Sequence, residues 1–387
     1  MQRLVDGSRR AFRRDKRPNR SSTAMAERHM INLGVIGLGY WGQRHVKSAR
    51  SSGRFTVTRA ADLDLSSTID YAEAEGIDVT ADVDALLTDP SVDAISLATP
   101  HSLHPEQVEM VGRAGKHVYT EKPFAFLRAD AERAVAACQK AGVVIGLGHD
   151  QRFYPTVVEI KRLLDSGELG TALHIESNIS HNAHQKAYQA RNAEVSGRDD
   201  TNAGRDGYSQ SRKPAPWRMD PKEAPTGPMV HFGIHRIDAF IHLMGDIDWL
   251  FANPAARTLN PDVTDTISVM LKFKSGATGY LGCSLSTPLN SRLQVFGSNG
   301  WARADGPDDA AEYARVALKT LTVVKGQDRQ TKTFETTDSV KLNFTSFADA
   351  IEGKAPFIIS PQQMIHNAAV MEAITKSVET GNQVAIG

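Results

Sequence analysis

Only two cysteines, Cys138 and Cys283, occur in 387 residues. Thiols so few and so far apart exclude a disulfide framework and a cysteine-built zinc knuckle. They fit reduced thiols in a cytoplasmic protein. Nor is there a run of eighteen apolar residues, so the sequence holds no candidate for a membrane-spanning helix. Net charge is also lacking, because 45 Lys and Arg balance 45 Asp and Glu. That balance hides a division. Residues 1–30 hold eight Arg and one Lys against three acids, a charge of +6 that leaves −6 on the remainder. An acidic body argues against nucleic acid as its partner. Within the tail, Ser8-Arg9-Arg10-Ala11-Phe12 looks like the opening of a twin-arginine export signal. The apolar segment such a signal needs does not follow. The tail therefore reads as a disordered basic extension, with Met25 or Met30 as the natural start.

What is present is an ordinary globular composition, 41% hydrophobic and 23% charged, in a chain long enough for two cored domains. Its organising stretch is INLGVIGLGYWG at 31–42. Ile31, Leu33, Val35 and Ile36 make a short apolar strand, and Trp41 to Ser51 reads as a helix. Between them runs Gly37-Leu38-Gly39-Tyr40-Trp41-Gly42, a G-x-G-x-x-G turn. The first glycine permits the tight turn, the second lets backbone approach a pyrophosphate, and the third lets helix and strand pack closely. The helix N-terminus offers unpaired N–H groups to phosphate. A second strand, Phe55 to Ala61, ends in Asp62, where a dinucleotide fold places a carboxylate on the adenosine ribose. An ordinary strand–turn–helix would explain the glycines but not the acid at that distance.

The alternation continues. Helices are expected at Ile69–Glu75, Val83–Leu87, Pro105–Ala114 and Leu127–Ala141, and strands at Ala94–Leu97, His117–Thr120 and Val143–Leu147. Strands alternating with helices predict an α/β fold with a parallel sheet of Rossmann type, whose ligands lie beyond the strands' carboxyl ends. Thr99, His101, Glu121, Lys122 and His149 all fall there. After Gln151 the pattern changes. A helix at Thr156–Ser166 and a strand at Leu173–Ser180 precede a long polar connection, 181–226, of the kind that forms lids or stays disordered. A helix at Met229–Met244 leads to strand-like runs at Ile267–Phe273, Thr278–Leu285, Leu293–Phe296 and Leu321–Val324. Helices at Phe344–Glu352 and Pro361–Thr380 close the chain. This half reads as an α+β domain with a mainly antiparallel open sheet. The expected division is a basic tail at 1–30, a dinucleotide-binding domain at 31–150 and a substrate and oligomerisation domain at 151–387.

Two features carry candidate chemistry. Lys122 stands between a short strand and a proline, and its ammonium could polarise a hydroxyl; the bland alternative is a surface lysine paired with Glu121. The helix at Met229–Met244 carries His231, His235, Asp238 and His242 at spacings of four, three and four, which put them on one face. The rest of the helix is apolar, so that stripe must line a wet pocket or be internally bonded. A histidine there can act as a general base, or can be a satisfied core residue. His231 and His235, with His181 and His184 in the preceding connection, have ligand-like spacing. No Glu stands beside the first to complete a zinc-protease motif, and no metal is expected.

These residues resemble the glucose–fructose oxidoreductase, inositol dehydrogenase and rhizopine-catabolism (Gfo/Idh/MocA) family over residues 31–387. The resemblance rests on GVIGLGYWG at 34–42, ATPHSLH at 98–104, EKPFA at 121–125, GHDQRFYP at 148–155, WRMDP at 217–221 and GPMVHFGIHRIDAFIHLMG at 227–245. It implies a two-domain NAD(P)-dependent oxidoreductase of sugars, cyclitols, related polyols or dihydrodiols. It also implies a homodimer or homotetramer built through the second-domain sheet. The family's lysine carries over to Lys122 and its catalytic histidine to His235. The aspartate usual four residues earlier is here His231, so the aspartate–histidine proton relay is altered. The expected cofactor contacts are Gly37 to Gly42, Asp62, Thr99, Pro100, His101, His104, Glu121 and Lys122, and Asp62 favours NAD over NADP. The expected substrate contacts are His149, Arg152, Trp217, Arg218 and His231. Two other activities stay open: a glycosidase using bound NAD for transient oxidation and elimination, and a non-catalytic NAD-binding sensor.

Overall fold

The computed structural model describes residues 30–180, 220, 222–258, 264–306 and 318–387. The tail at 1–29, most of the 181–226 connection and the histidines His181 and His184 lie outside the described residues.

Strands β1 (Ile31–Ile36), β2 (Phe55–Ala61), β3 (Asp78–Thr80), β4 (Ala94–Leu97), β5 (His117–Thr120) and β6 (Ile145–Leu147) alternate with five helices. These are α1 (Tyr40–Ser51), α2 (Leu65–Ala74), α3 (Val83–Thr88), α4 (His104–Arg113) and α5 (Arg128–Ala141). The strands form one six-stranded parallel sheet in the order β3-β2-β1-β4-β5-β6. Short apolar runs such as Ala94-Ile95-Ser96-Leu97, buried throughout, suit a sheet covered on both faces. The strand order turns back between β1 and β4, so a crevice opens beyond their carboxyl ends. Helix α2 starts at Leu65, four residues before the expected Ile69, because the polar Ser66 and Ser67 hide its first turn from an apolar periodicity.

Helix α6 (Pro155–Asp165) leads into β7 (Ala172–Ser180). After the long connection come a π turn at Met229–Gly233 and α7 (Ile234–Met244). Then follow β8 (Ile247–Ala255), β9 (Thr266–Phe273), β10 (Thr278–Ser284), β11 (Asn290–Gly297), β12 (Gly300–Asp305), β13 (Thr320–Lys325) and β14 (Asp328–Thr333). Helices α8 (Ser339–Ile351) and α9 (Pro361–Thr380) and the short β15 (Val384–Ala385) end the chain. The second sheet has nine strands, in the order β14-β13-β12-β11-β7-β10-β9-β8-β15. All its pairs are antiparallel except β7 with β10, so the sheet is mixed, as a mainly antiparallel sheet allows. One face packs on α6, α7 and α9 through Val157, Ile160, Phe240, Ile241, Val370 and Ile374. The other face is open and carries Met270 at 58% exposure. Among the described residues no helix is long and apolar enough to cross a membrane.

The helix expected at Phe344–Glu352 begins at Ser339 and joins the first core rather than the second. Its Phe344 and Phe347 pack with Phe55 and Tyr119, with the Tyr119 and Phe344 rings stacked at 4.3 Å between centroids. Asn343 on the same helix donates to the Tyr119 hydroxyl and the Leu147 carbonyl, both at 2.9 Å. Ion pairs Arg44–Asp338 and Arg54–Asp349 tie its ends to the first sheet's layer. The chain after 151 therefore serves both cores.

Candidate active site

The glycine turn separates its three tasks. Gly37 has φ +88°, and a Cβ there would stand 2.7 Å from the Ala98 carbonyl oxygen. At Gly42 a Cβ would lie 1.8 Å from the Gly37 oxygen, so only glycine lets α1 close on β1. A Cβ at Gly39 would meet nothing within 4 Å; the space there is open, and α1 starts beside it with no side chain capping its first N–H groups. Open space in front of unpaired helix donors is what a pyrophosphate requires. Asp62 receives the Leu38 N–H at 2.6 Å and the Asp64 N–H at 2.9 Å, which fixes its carboxylate beside the turn. Arg59 is committed to Asp78 and Asp89, so its charge is engaged away from Asp62.

A narrow cleft runs from the turn, lined by Trp41, Ala98, Thr99, His101, Glu121 and Lys122. These residues come from α1 and the ends of β4 and β5, as parallel-sheet topology demands. Tyr40 packs edge-to-face on Trp41 at its mouth. Glu121 is buried, and its carboxyl is a good hydrogen-bond acceptor for His45, whose Nε2 lies 2.9 Å away while Nδ1 meets Ser96 at 2.8 Å. Burial pushes the Glu121 pKa up, but His45 and Lys122 outweigh it and hold the carboxyl below its ordinary range. Sequence reasoning missed His45. Its only signal was a histidine one turn past Gly42 on a helix face otherwise lined by Val46 and Ala49.

Lys122 is buried rather than a surface lysine. Its Nζ donates to the His231 carbonyl at 2.8 Å and lies 3.5 Å from that of Val230. The Lys122–Pro123 peptide is cis. The π turn supplies those two carbonyls, and such turns recur at functional sites. His104 is buried between two backbone oxygens, Pro123 at 2.7 Å and Thr99 at 3.1 Å. It braces the two turns that carry Lys122 and Pro100 and does not line the cleft. His101 contacts the Glu223 carbonyl at 2.8 Å through Nδ1. Ser102 takes up the Glu223 carboxylate through its N–H, at 2.9 Å, and its hydroxyl. The end of the long connection is thus pinned to the turn after β4.

The four polar residues of the Met229–Met244 segment do not form one stripe, because a π turn breaks the expected spacing at Gly233. His231 and His235 stand by Lys122. Asp238 instead holds Arg152 in a buried bidentate pair at 2.7 and 2.9 Å, and His242 lies 3.5 Å from the same guanidinium. Arg152 also donates to the Ile358 carbonyl and to Gln363. With 1% of its surface exposed, Arg152 is a brace between α7 and α9. This departs from its expected place as a substrate contact, because a long arginine on a 3-10 turn reached inward to the one acid of the helix. Trp217 and Arg218 lie outside the described residues.

His149, at the end of β6, is 1% exposed and meets His235 edge-to-face with ring centroids 5.5 Å apart. Among the described residues neither His149 nitrogen has a hydrogen-bond partner, and neither has His235 Nδ1. Burial lowers the His149 pKa to about 4. His235 is also held well below the ordinary histidine value, first by burial and then by the Lys122 charge. Both rings are neutral near pH 7. Arg236, wholly buried, donates to Gln151 and Ser291. Among the described residues no three His, Cys, Asp or Glu side chains converge as metal ligands.

Comparison with known proteins matches residues 31–149 to a family model described as an oxidoreductase family with an NAD-binding Rossmann fold. Residues 157–303 match a GFO/IDH/MocA C-terminal domain. The chain is 27% identical to D-xylose 1-dehydrogenase (NADP(+)) 2 of Haloferax volcanii, over 92% of this chain and 99% of that one. It is 26% identical to myo-inositol 2-dehydrogenase of Thermotoga maritima, over 71% of this chain and 75% of the relative. A solved levoglucosan dehydrogenase, in complex with NADH and levoglucosan, superposes with a TM-score of 0.75 at 20% identity, covering 92% and 99% of the two chains. That likeness concerns the fold.

Proposed function

The chain belongs to the GFO/IDH/MocA oxidoreductase family, and from that premise we propose that it is an NAD-linked dehydrogenase of a sugar, cyclitol or related polyol. NAD(P) dependence is the family's property; the preference for NAD is inferred from this chain. Asp62 faces the turn, and Arg59, the cation that precedes it on β2, is paired with two aspartates and so is engaged away from a 2′-phosphate. The NADP named for the Haloferax relative makes this preference a matter for measurement. When bound, the nicotinamide supplies an acceptor for a hydride. Gly39 and the first turn of α1 would hold the pyrophosphate and Asp62 the ribose, with Thr99, Pro100 and His101 along the nicotinamide side.

The observation that carries the reading is the nearness of Lys122, which lines the cleft, to His235, a half-buried ring whose proton affinity the Lys122 charge lowers. Lys122, fixed by carbonyls, would donate to the substrate oxygen and lower the hydroxyl's pKa. His235, neutral at working pH, would take the hydroxyl proton as the carbon's hydride departs, leaving a carbonyl. His231 would hydrogen-bond the substrate. Residues 31–150 with α8 form the cofactor half. The open sheet face, where Met270 and Tyr280 are exposed, supports self-association into a dimer or tetramer. Two buried free thiols fit a reducing compartment.

The test is a panel of sugars, cyclitols and dihydrodiols with NAD or NADP, followed by absorbance of the reduced nicotinamide. Polyol-dependent reduction is expected. Release of a glycosidic leaving group without net reduction, or cofactor binding without chemistry on any substrate, would replace this reading.

A further inference from the structure

A histidine base needs a partner for the nitrogen it does not use. That partner fixes the ring's tautomer and orientation. His235 has its inner nitrogen, Nδ1, buried and unbonded. The groups that face it are Lys122, Arg236 and His149. Lys122 and Arg236 are donors only and cannot accept a proton from Nδ1. The acids facing His149 are Asp238 and Glu121, and each is already committed, Asp238 to Arg152 and Glu121 to His45. Of these groups that face His235 among the described residues, His149 is the one able to accept. It is buried, both its nitrogens are unbonded, and its ring already abuts His235 edge-to-face.

We propose that His149 is the positioning residue of the base: it accepts the Nδ1–H of His235 and so leaves Nε2 of His235 as the lone pair turned to the substrate hydroxyl. The inference rests on the function proposed above. An imidazole here does the orienting that a carboxylate would do, but without a full negative charge. The imidazolium formed when His235 takes a proton is therefore less stabilised than beside an acid, and that proton passes on to His149 or to water. Contacts of this kind are often long in an empty site and tighten when substrate is bound. Gly148, which precedes His149, lies against Glu121, since a Cβ there would stand 3.0 Å from a Glu121 carboxylate oxygen.

Two readouts test this on the full chain. The first needs no substrate: imidazole nitrogen resonances of histidine-labelled protein, with His235 assigned from the His235→Gln spectrum. His235 is expected as the Nδ1–H tautomer, changing to a mixture in His149→Phe. The second is the pH profile of polyol oxidation. His149→Phe should lower kcat about tenfold to a hundredfold, with KM and NADH affinity within about twofold. His149→Gln, whose amide oxygen can accept, should recover part of that loss. His149→Glu should move the acid limb of kcat/KM to higher pH, since a carboxylate favours protonated His235 and the base must be neutral to act. An unchanged tautomer in His149→Phe, or wild-type kcat and an unmoved profile across the variants, overturns the inference. Should His149→Phe melt early, the Glu variant decides by its acid limb. A wild-type chain that turns over no polyol overturns the functional reading, and the His235 tautomer then decides this inference alone.

Discussion

The two sides of the cleft treat their ionisable groups differently. On the cofactor side the described buried groups at the cleft are bonded: Glu121 with His45, Lys122 with backbone carbonyls, His104 between two more. On the substrate side His149 and the inner nitrogen of His235 are left open. A buried polar group without a partner costs roughly 1–3 kcal/mol, so the fold tolerates the open groups where a substrate is expected and satisfies the rest. Histidine stands on both sides of that division, bonded at His104 and open at His149.

The sharpest way to break this comparison is to remove one reagent from each side. Lys122→Ala and His235→Ala should each lower kcat by roughly two to four decades, while NAD affinity changes little for His235→Ala. A near-normal kcat in steady-state assays removes that residue from the mechanism. Next in size is the glycine contrast. Gly42→Ala puts a Cβ against a backbone oxygen at 1.8 Å, so it should destabilise the chain by about 1–3 kcal/mol, read as a lower melting temperature. Gly39→Ala, with open space, should melt normally and instead weaken cofactor binding in fluorescence titration. Equal melting temperatures would show that α1 can shift away from β1 at small cost.

Cofactor choice sharpens the bonded side further. NAD should exceed NADP by about two decades in kcat/KM, or about 2.7 kcal/mol, because Asp62 would face the 2′ position of a bound cofactor and Arg59 is engaged elsewhere. Asp62→Ser should narrow the gap; equal use of NADP by wild type would mean that Asp62 does not sit at the ribose. The smallest expected effect is electrostatic. The Lys122 charge helps hold the His235 pKa below its ordinary value, so the acid limb of kcat/KM should lie below the ordinary histidine range. In the residual activity of Lys122→Met it should move to higher pH. An unmoved limb assigns it to another group.

Five strands of the first sheet were legible because their signals are local; β3, three residues long with no fully buried position, was not expected. A glycine turn and an acid at the end of β2 specify the first βαβ step, and short apolar runs alternating with helices mark the later ones. The second sheet was less so. Strand β14, DRQTKT, is exposed at every position, which protects a sheet edge from pairing and removes the alternation by which strands are read. Strand β12 carries three small or polar residues between Trp301 and Asp305 and hides in the same way. Helix α8 was found, yet its partner was not. Nothing in SVKLNFTSFADAI says which of two sheets Phe344 and Phe347 will meet.

The sequence by itself pointed to the parallel cofactor sheet and the glycine turn with Asp62, because chain geometry and a few special residues suffice for each, and only its resemblance to the family singled out Lys122 and His235. Only the tertiary structure decided which polar groups are braces and which are left open. Arg152 and Asp238 are 86 positions apart, as are His149 and His235, yet the first pair is bonded and the second is left open. The π turn at Met229–Gly233, where Lys122 donates to the His231 carbonyl, separates Asp238 from His231 in a way no helical period foretells. A hydrogen bond depends on what stands within about 3 Å in space, and distance along the chain does not carry that information.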